Sequence, residues 1–443
     1  METVKKEDVH VKESDKFSLS GATLYGINAV IGSGIFLLPR TIYQDLGPAS
    51  LVAMAITAIL VLLLAICFAE VAGYFDKNGG AYQYTKEAFG DYFAFVVGVL
   101  GWFVMILAWA AMAVGFSSLL VTAIPALDGW NKVISSLLIV GFSVMNLFGI
   151  KTSKIFTVTV TIAKLIPIIA FASLSIFFLK GGFDNGSFTP FVQLNPELTL
   201  SGAMASTALT VFYAFIGFET LPNVAGEMQN AKQNVPKAII SANSIVAVIY
   251  ILIIAGTIAM LGRGILESDA PVHDAFRMMV GPIGFWTISI GAVVSVFGLN
   301  MGESIMVPRF GAAIAQDGLL PKKLGELNKN GAPVVAIIFT GILTILLIMS
   351  GSFESLAELS VVFRFFQYIP TAIAVLILRK KVAKGGSGLE KPSFKVPGGA
   401  VIPIIAVIVS IWMVLAANPM NLVFAAIGFV VASVLYFVMK KMA

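Results

Sequence analysis

One cysteine and two histidines in 443 residues leave little material for metal, redox or histidine chemistry. Cys67 stands alone inside an apolar run, which excludes a disulfide framework and a cysteine-based metal site. His10 and His273 are the only histidines, and no glycine-rich phosphate loop appears, so an enzyme is not expected. Charge is scarce too. Asp, Glu, Lys and Arg supply 12% of the chain, against about 25% in a soluble domain. No signal peptide is evident, because the first eighteen residues are polar, mixed in charge and lead straight into an apolar segment. The pI near 9.1 reflects loop lysines and gives no reason to expect a nucleic-acid partner.

What the chain has is hydrocarbon. Hydrophobic residues make up 58% of it and the mean hydropathy is +0.94, which predicts an all-α integral membrane protein. Uncharged runs such as 51–69, 92–127, 133–150, 238–262 and 330–353 approach or exceed the roughly 20 residues that one helical crossing needs. Twelve spans are expected, at about 19–46, 50–75, 91–125, 132–150, 154–180, 199–227, 237–262, 281–317, 332–351, 355–379, 398–417 and 420–439. With the amino terminus in the cytoplasm, 22 of the 29 Lys and Arg residues fall on the cytoplasmic side. Arg40, Lys132, Lys180, Arg263 and Arg277 fall on the other side, and Lys164 and Arg364 lie inside spans. That bias predicts a multi-pass protein of the plasma membrane with both termini cytoplasmic.

Two spans are interrupted. Span 1 carries Asn28 to Pro39, reading NAVIGSGIFLLP, and span 6 carries YAFIGFETLP from Tyr213 to Pro222. In each, a glycine (Gly34, Gly217) is followed five residues later by a proline (Pro39, Pro222). Glycine and serine weaken a helix interior, and in hydrocarbon a weakened helix is tolerated only where freed backbone faces protein or a polar cavity. Interrupted spans at corresponding positions of two halves point to a transporter binding site. Five spans separate the copies, and an odd number inverts the second. The alternative for span 1 alone is a small-residue packing face.

GSGIFLLP in span 1, Gly79-Gly80-Ala81-Tyr82-Gln83-Tyr84 after span 2, and FIGFE in span 6 together resemble the amino acid–polyamine–organocation superfamily. NVPKAI (Asn234–Ile239) and Gln316-Asp317-Gly318-Leu319-Leu320-Pro321 add to the likeness, which covers spans 1 to 10 and extends to 12. The resemblance implies a 5+5 inverted repeat of leucine-transporter type: a tail over 1–18, a first repeat over 19–180, a second over 199–379, and spans 11 and 12 over 398–439. It implies secondary-active amino acid transport by alternating access, as proton-coupled symport or as exchange. An antiporter of amino acids or polyamines preferring cationic substrates is the alternative, and a homodimer stays open. A channel would show a continuous polar pore without paired breaks. A receptor or scaffold would bring a soluble domain, whereas the longest interior cytoplasmic loop, 380–397, is short and basic.

An amino acid needs donors for its carboxylate and acceptors for its ammonium. Amides of Ser33, Gly34 and Ile35, with Val30 beside them, are the expected donors, since a helix amino terminus presents unpaired N–H groups. Carbonyls of Tyr213, Phe215 and Ile216 are the expected acceptors. The resemblance places Tyr213 as an aromatic gate, and Trp109 and Glu303 against the substrate side chain. Where this chain has Glu303, relatives often carry an aromatic residue. Two readings of Glu303 stand: it pairs a cationic substrate, or it pairs Arg364. Lys164 at mid-span 5 matches a family position that reaches toward spans 1 and 8, where its ammonium replaces sodium and its deprotonation would accompany transport. Sodium coupling is therefore disfavoured, and no cofactor is expected beyond a proton gradient or counter-substrate. Its alternative is snorkelling, although Lys164 lies about 15 Å along the helix from Lys154. Glu219 is expected as a proton carrier or a brace for the break, Glu70 as a structural carboxylate, and Glu227 as a solvated helix end.

Overall fold

The computed structural model describes residues 16–75, 80–148, 154–385 and 388–442. Gly79, Lys77, Lys151, His10 and most of the expected tail lie outside them, as does the Glu227 side chain. Within the described residues the chain is helical throughout, with one isolated bridge between Phe17 and Met228.

The first apolar segment is three helices: α1 (Leu19–Val30), α2 (Gly34–Leu37) and α3 (Pro39–Leu46). There follow α4 (Ser50–Ala72), α5 (Gly80–Phe89), α6 (Asp91–Ala123), α7 (Asn131–Leu147), α8 (Lys154–Asp184) and α9 (Leu200–Ala214). Then come α10 (Ala231–Leu261), α11 (Pro271–Val280), α12 (Pro282–Gln316), α13 (Lys322–Gly325), α14 (Val334–Ser350), α15 (Phe353–Lys384), α16 (Val401–Leu415) and α17 (Pro419–Met442). Among the described residues eight helices are long and apolar enough to cross a bilayer. Three more, α7, α14 and α16, are apolar but have 17 residues or fewer, about 26 Å against a hydrocarbon core of about 30 Å. The chain is a multi-pass helical membrane protein.

Two boundaries differ from the sequence reading by five residues or more. Helix α10 begins at Ala231, six residues before the expected 237, and carries Pro236 as its sixth residue, where the ring removes one i→i−4 bond, to the Lys232 carbonyl. Helix α15 runs on to Lys384, so the loop expected to start at Lys380 starts later.

Packing divides the helices into groups. Helices α1, α4, α9 and α10 pack on one another; α6, α7, α12 and α14 form a second group; α8 and α15 touch both. Lipid tails give helices no hydrophobic reason to associate, so close approach and hydrogen bonds must do it. Small residues permit the approach. A Cβ on Gly26 would lie 2.9 Å from the Ala242 Cβ, and one on Gly115 would lie 2.9 Å from the Ser33 side chain. Polar side chains tie the second group: Trp102 Nε1 donates to the Val307 carbonyl at 2.9 Å and Asn146 Nδ2 to the Ser304 carbonyl at 2.8 Å.

Glu70, at the end of α4, is fully buried, as a structural role requires. It accepts both arms of Arg379 at 2.6 Å, and the Val396 N–H donates to it at 2.6 Å. Arg379 also donates to the Val396 carbonyl at 3.0 Å, so this arginine, counted in sequence as a loop charge, fastens the 388–400 segment across α4 and α15. Removing one member of such a pair leaves the other uncompensated, at a cost of about 3–5 kcal/mol. Glu70→Ala is expected to lower the thermal unfolding midpoint sharply in detergent. An unchanged midpoint, followed by fluorescence-detected size exclusion, would show that the clamp contributes nothing to stability.

Candidate functional site

The break in span 1 follows from three consecutive residues. Ile31 leaves the helix with an extended ψ of 99°, Gly32 and Ser33 bridge the gap, and α2 restarts at Gly34. The first bonds inside the restarted turn run from the Phe36 and Leu37 amides to the Ser33 carbonyl at 3.1 and 3.2 Å. The amides of Ser33, Gly34 and Ile35 precede those bonds, as the sequence reading required of carboxylate donors.

The carbonyls shed by α1 are gripped from two sides. Lys164 Nζ donates to the Asn28 carbonyl at 2.6 Å and to the Ile31 carbonyl at 2.7 Å. Tyr250 of α10 donates its hydroxyl to the Val30 carbonyl at 3.3 Å. Lys164 is 0% exposed, so it does not snorkel. A cation at a helix carboxyl terminus also meets the negative end of the helix dipole.

Span 6 breaks at Gly217, whose φ of +129° is open to glycine and strained for other residues. A Cβ there would run into the Ala29 carbonyl, with its carbon 2.6 Å away, so the second break presses directly on the first. Gly34 meets α9 in the same way: a Cβ on it would lie 3.1 Å from the Ala214 Cα. After Gly217 the chain continues as a 3₁₀ helix, Phe218–Glu227, not as a second α-helical half. One expected acceptor is already occupied, because the Tyr213 carbonyl takes the Ile216 amide at 3.2 Å. The chain's tight turn there consumes it, which leaves Phe215 and Ile216 of the three carbonyls named from sequence.

Side chains complete the arrangement. Tyr213 is buried and packs edge-on against Phe353, with ring centroids 5.5 Å apart. Trp109 is fully buried, and its indole N–H has no hydrogen-bond partner. Glu219 accepts the Gly217 N–H at 3.1 Å and is ion-paired to Arg364 of α15. Arg364 therefore pairs with Glu219, not with Glu303 as one sequence reading had it. The reason is position: both α12 and α15 border the break, but Glu219 sits on the broken strand itself and needs the charge. Glu303, Glu219 and Arg364 line one cavity with Tyr82, Thr220 and Gln367. Gln367 and Tyr250 were not singled out from sequence, since a lone polar residue in an apolar run gives no sign of which neighbour it serves.

Two helix breaks thus face each other with buried charged side chains beside them. A family model described as amino acid permease matches residues 17–440, nearly the whole chain. This chain belongs to the amino acid permease family. An uncharacterized transporter of Mycobacterium tuberculosis is 32% identical over 422 residues, covering 89% of this chain and 86% of that protein. The serine/threonine exchanger SteT of Bacillus subtilis is 30% identical over 393 residues, covering 86% of each. The methylthioribose transporter of the same organism is 27% identical over 465 residues, covering 100% of this chain and 96% of its own. These relatives are transporters, and the permease is likewise not an enzyme.

Gly217→Ala tests the contact between the breaks. An alanine at that φ costs about 1–3 kcal/mol and must also push the Ala29 carbonyl away. Uptake by the permease in proteoliposomes is expected to fall to background while a monodisperse protein is still recovered. Uptake within twofold of the unaltered protein would sink the idea that the breaks must touch.

Proposed function

We propose that this permease is a secondary-active amino acid transporter that binds its substrate between the breaks of spans 1 and 6 and moves it by alternating access. The contact of the two breaks, Gly34 on Ala214 and Gly217 on Ala29, carries the reading. Both interruptions bring backbone groups out of helical bonding at one place in the bilayer, and an amino acid's two charged ends need what they offer. The Ser33–Ile35 amides take the carboxylate, and the Phe215 and Ile216 carbonyls take the ammonium. Val30 and Trp109 line the site and Tyr213 closes over it.

The layout that suits this reading has twelve spans. The first repeat covers 19–180 and the second, inverted, 199–379, with 398–439 added and both termini in the cytoplasm of a plasma-membrane protein. The grouping of α1, α4, α9 and α10 apart from α6, α7, α12 and α14 supports two bodies that rock, with α8 and α15 between them. Coupling is to protons or to a counter-substrate. Sodium is disfavoured because the Lys164 ammonium already satisfies the carbonyls of Asn28 and Ile31. Amino acids are favoured as substrates by the family description and by the serine/threonine exchanger among the relatives. The methylthioribose relative indicates that overall likeness does not by itself fix the cargo.

Uptake and counterflow in proteoliposomes, with a panel of amino acids under imposed pH and sodium gradients, test this directly. Gly34→Leu is expected to abolish substrate binding while the protein is still expressed, because even a Cβ there lies 3.1 Å from the Ala214 Cα and a larger side chain would force the breaks apart. Normal uptake by that variant would remove the site from the breaks. Lys164→Ala is expected to abolish the response to an imposed pH gradient, and an unchanged pH profile would argue for exchange without proton movement.

A further inference from the structure

Three charged side chains face one cavity, and they do not cancel. Arg364 is 7% exposed and ion-paired to Glu219, and Glu219 also receives the Gly217 N–H at 3.1 Å, so that pair is internally satisfied. Glu303 is left over. One of its carboxylate oxygens is buried without a hydrogen-bond partner, and its side chain lines the same cavity. Among the residues lining that cavity, Arg364 is the sole cation and it is already committed. A carboxylate held in a membrane interior without a partner is costly, and a positive charge is what removes the cost.

The surroundings suit an organic cation. The cavity's lining adds Tyr82, Phe310, Met105, Thr220 and Gln367 to the charged trio. Aromatic rings attract ammonium and guanidinium groups, and the amide and hydroxyl can take their remaining protons. The cavity adjoins the span 6 break: Glu219 and Thr220, just after Gly217, both line it.

We propose that Glu303 recognises a positive charge on the substrate's side chain, so that this site takes amino acids with an amino or guanidino side chain. The α-amino and carboxyl groups sit at the breaks, and the side chain runs toward α12 and α15. The proposal rests on the reading of the breaks as the substrate site. It makes Glu303 a specificity-determining residue and leaves Glu219 as the brace of span 6.

The test is counterflow in proteoliposomes at equal pH on both sides and without sodium, comparing lysine and ornithine with the neutral norleucine. Lysine and ornithine are expected to exchange and norleucine to exchange poorly. In Glu303→Gln the KM for lysine is expected to rise about tenfold or more, the scale of one lost charged hydrogen bond, with norleucine exchange undiminished. Glu303→Asp, which keeps the charge, is expected to retain the preference for lysine. Should the glutamine variant fold poorly, the unaltered protein still answers, because lysine must raise its melting temperature more than norleucine does. Exchange of norleucine as readily as lysine, or equal losses for both in Glu303→Gln, overturns the assignment and leaves Glu303 holding a proton only, while amino acid transport stands. Failure of every amino acid to exchange overturns this assignment and the underlying site together.

Discussion

The structure depends on how a helix is ended in the middle of a membrane. Water is not there to receive the carbonyls that α1 releases, and each one left alone costs several kcal/mol. Lys164 and Tyr250 take three of them, from two helices that are otherwise unrelated to α1 in sequence. Charge-assisted bonds of this kind contribute about 1.5–3 kcal/mol each, enough to hold a conformation that glycine only permits. Gly32 and Gly34 thus make the break available, and a lysine more than 130 residues away makes it stable.

The buried charges divide by what they are paired with. Glu70 and Arg379 join α4 to α15 and to the segment after α15, a fastening with every strong acceptor used. Glu219 and Arg364 join the span 6 break to α15, and again the charges balance. Glu303 is different because, among the described residues, no ion pair is made to it and Arg364 beside it is committed to Glu219. Buried ion pairs are weak evidence for stability, since their desolvation is expensive, but they are strong evidence about position. Here both pairs place α15 against the group that holds the two breaks, which ties that helix, packed also on α6, to both groups.

Much of this was legible before any coordinates. The paired Gly-to-Pro intervals of spans 1 and 6 named the breaks, because a helix interruption in hydrocarbon has a local sequence cause. The sequence also carries a matching pair of caps: Ser18-Leu19-Ser20-Gly21 and Thr199-Leu200-Ser201-Gly202 open α1 and α9 alike, the hydroxyl accepting the glycine amide at 3.3 and 3.1 Å. The partners of buried charges were not legible. Arg364 had two carboxylates in reach, and the choice was decided by the turn at Gly217, which holds Glu219 against its own backbone. The consumption of the Tyr213 carbonyl and the 3₁₀ course after Gly217 have the same origin. They depend on how tightly the chain turns after α9, and neither residue spacing nor composition encodes that.

Access to the site is uneven, and the unevenness follows from the packing. On one side Tyr213 meets Phe353 edge-on, and Gly34 leaves no gap against Ala214. On the other, the cavity reaches from Glu303 and Arg364 past Met105 to Gly98 and to Ala81 and Tyr82 of α5. At that end of the cavity α5 carries Lys86 in its last turn. The end at the two breaks is thus tightly packed, and the end at Glu303 and Arg364 keeps an open cavity. On the proposed reading a substrate leaving through that end would pass Glu303 on its way out, so the residue that selects the side chain would also be the last to hold it.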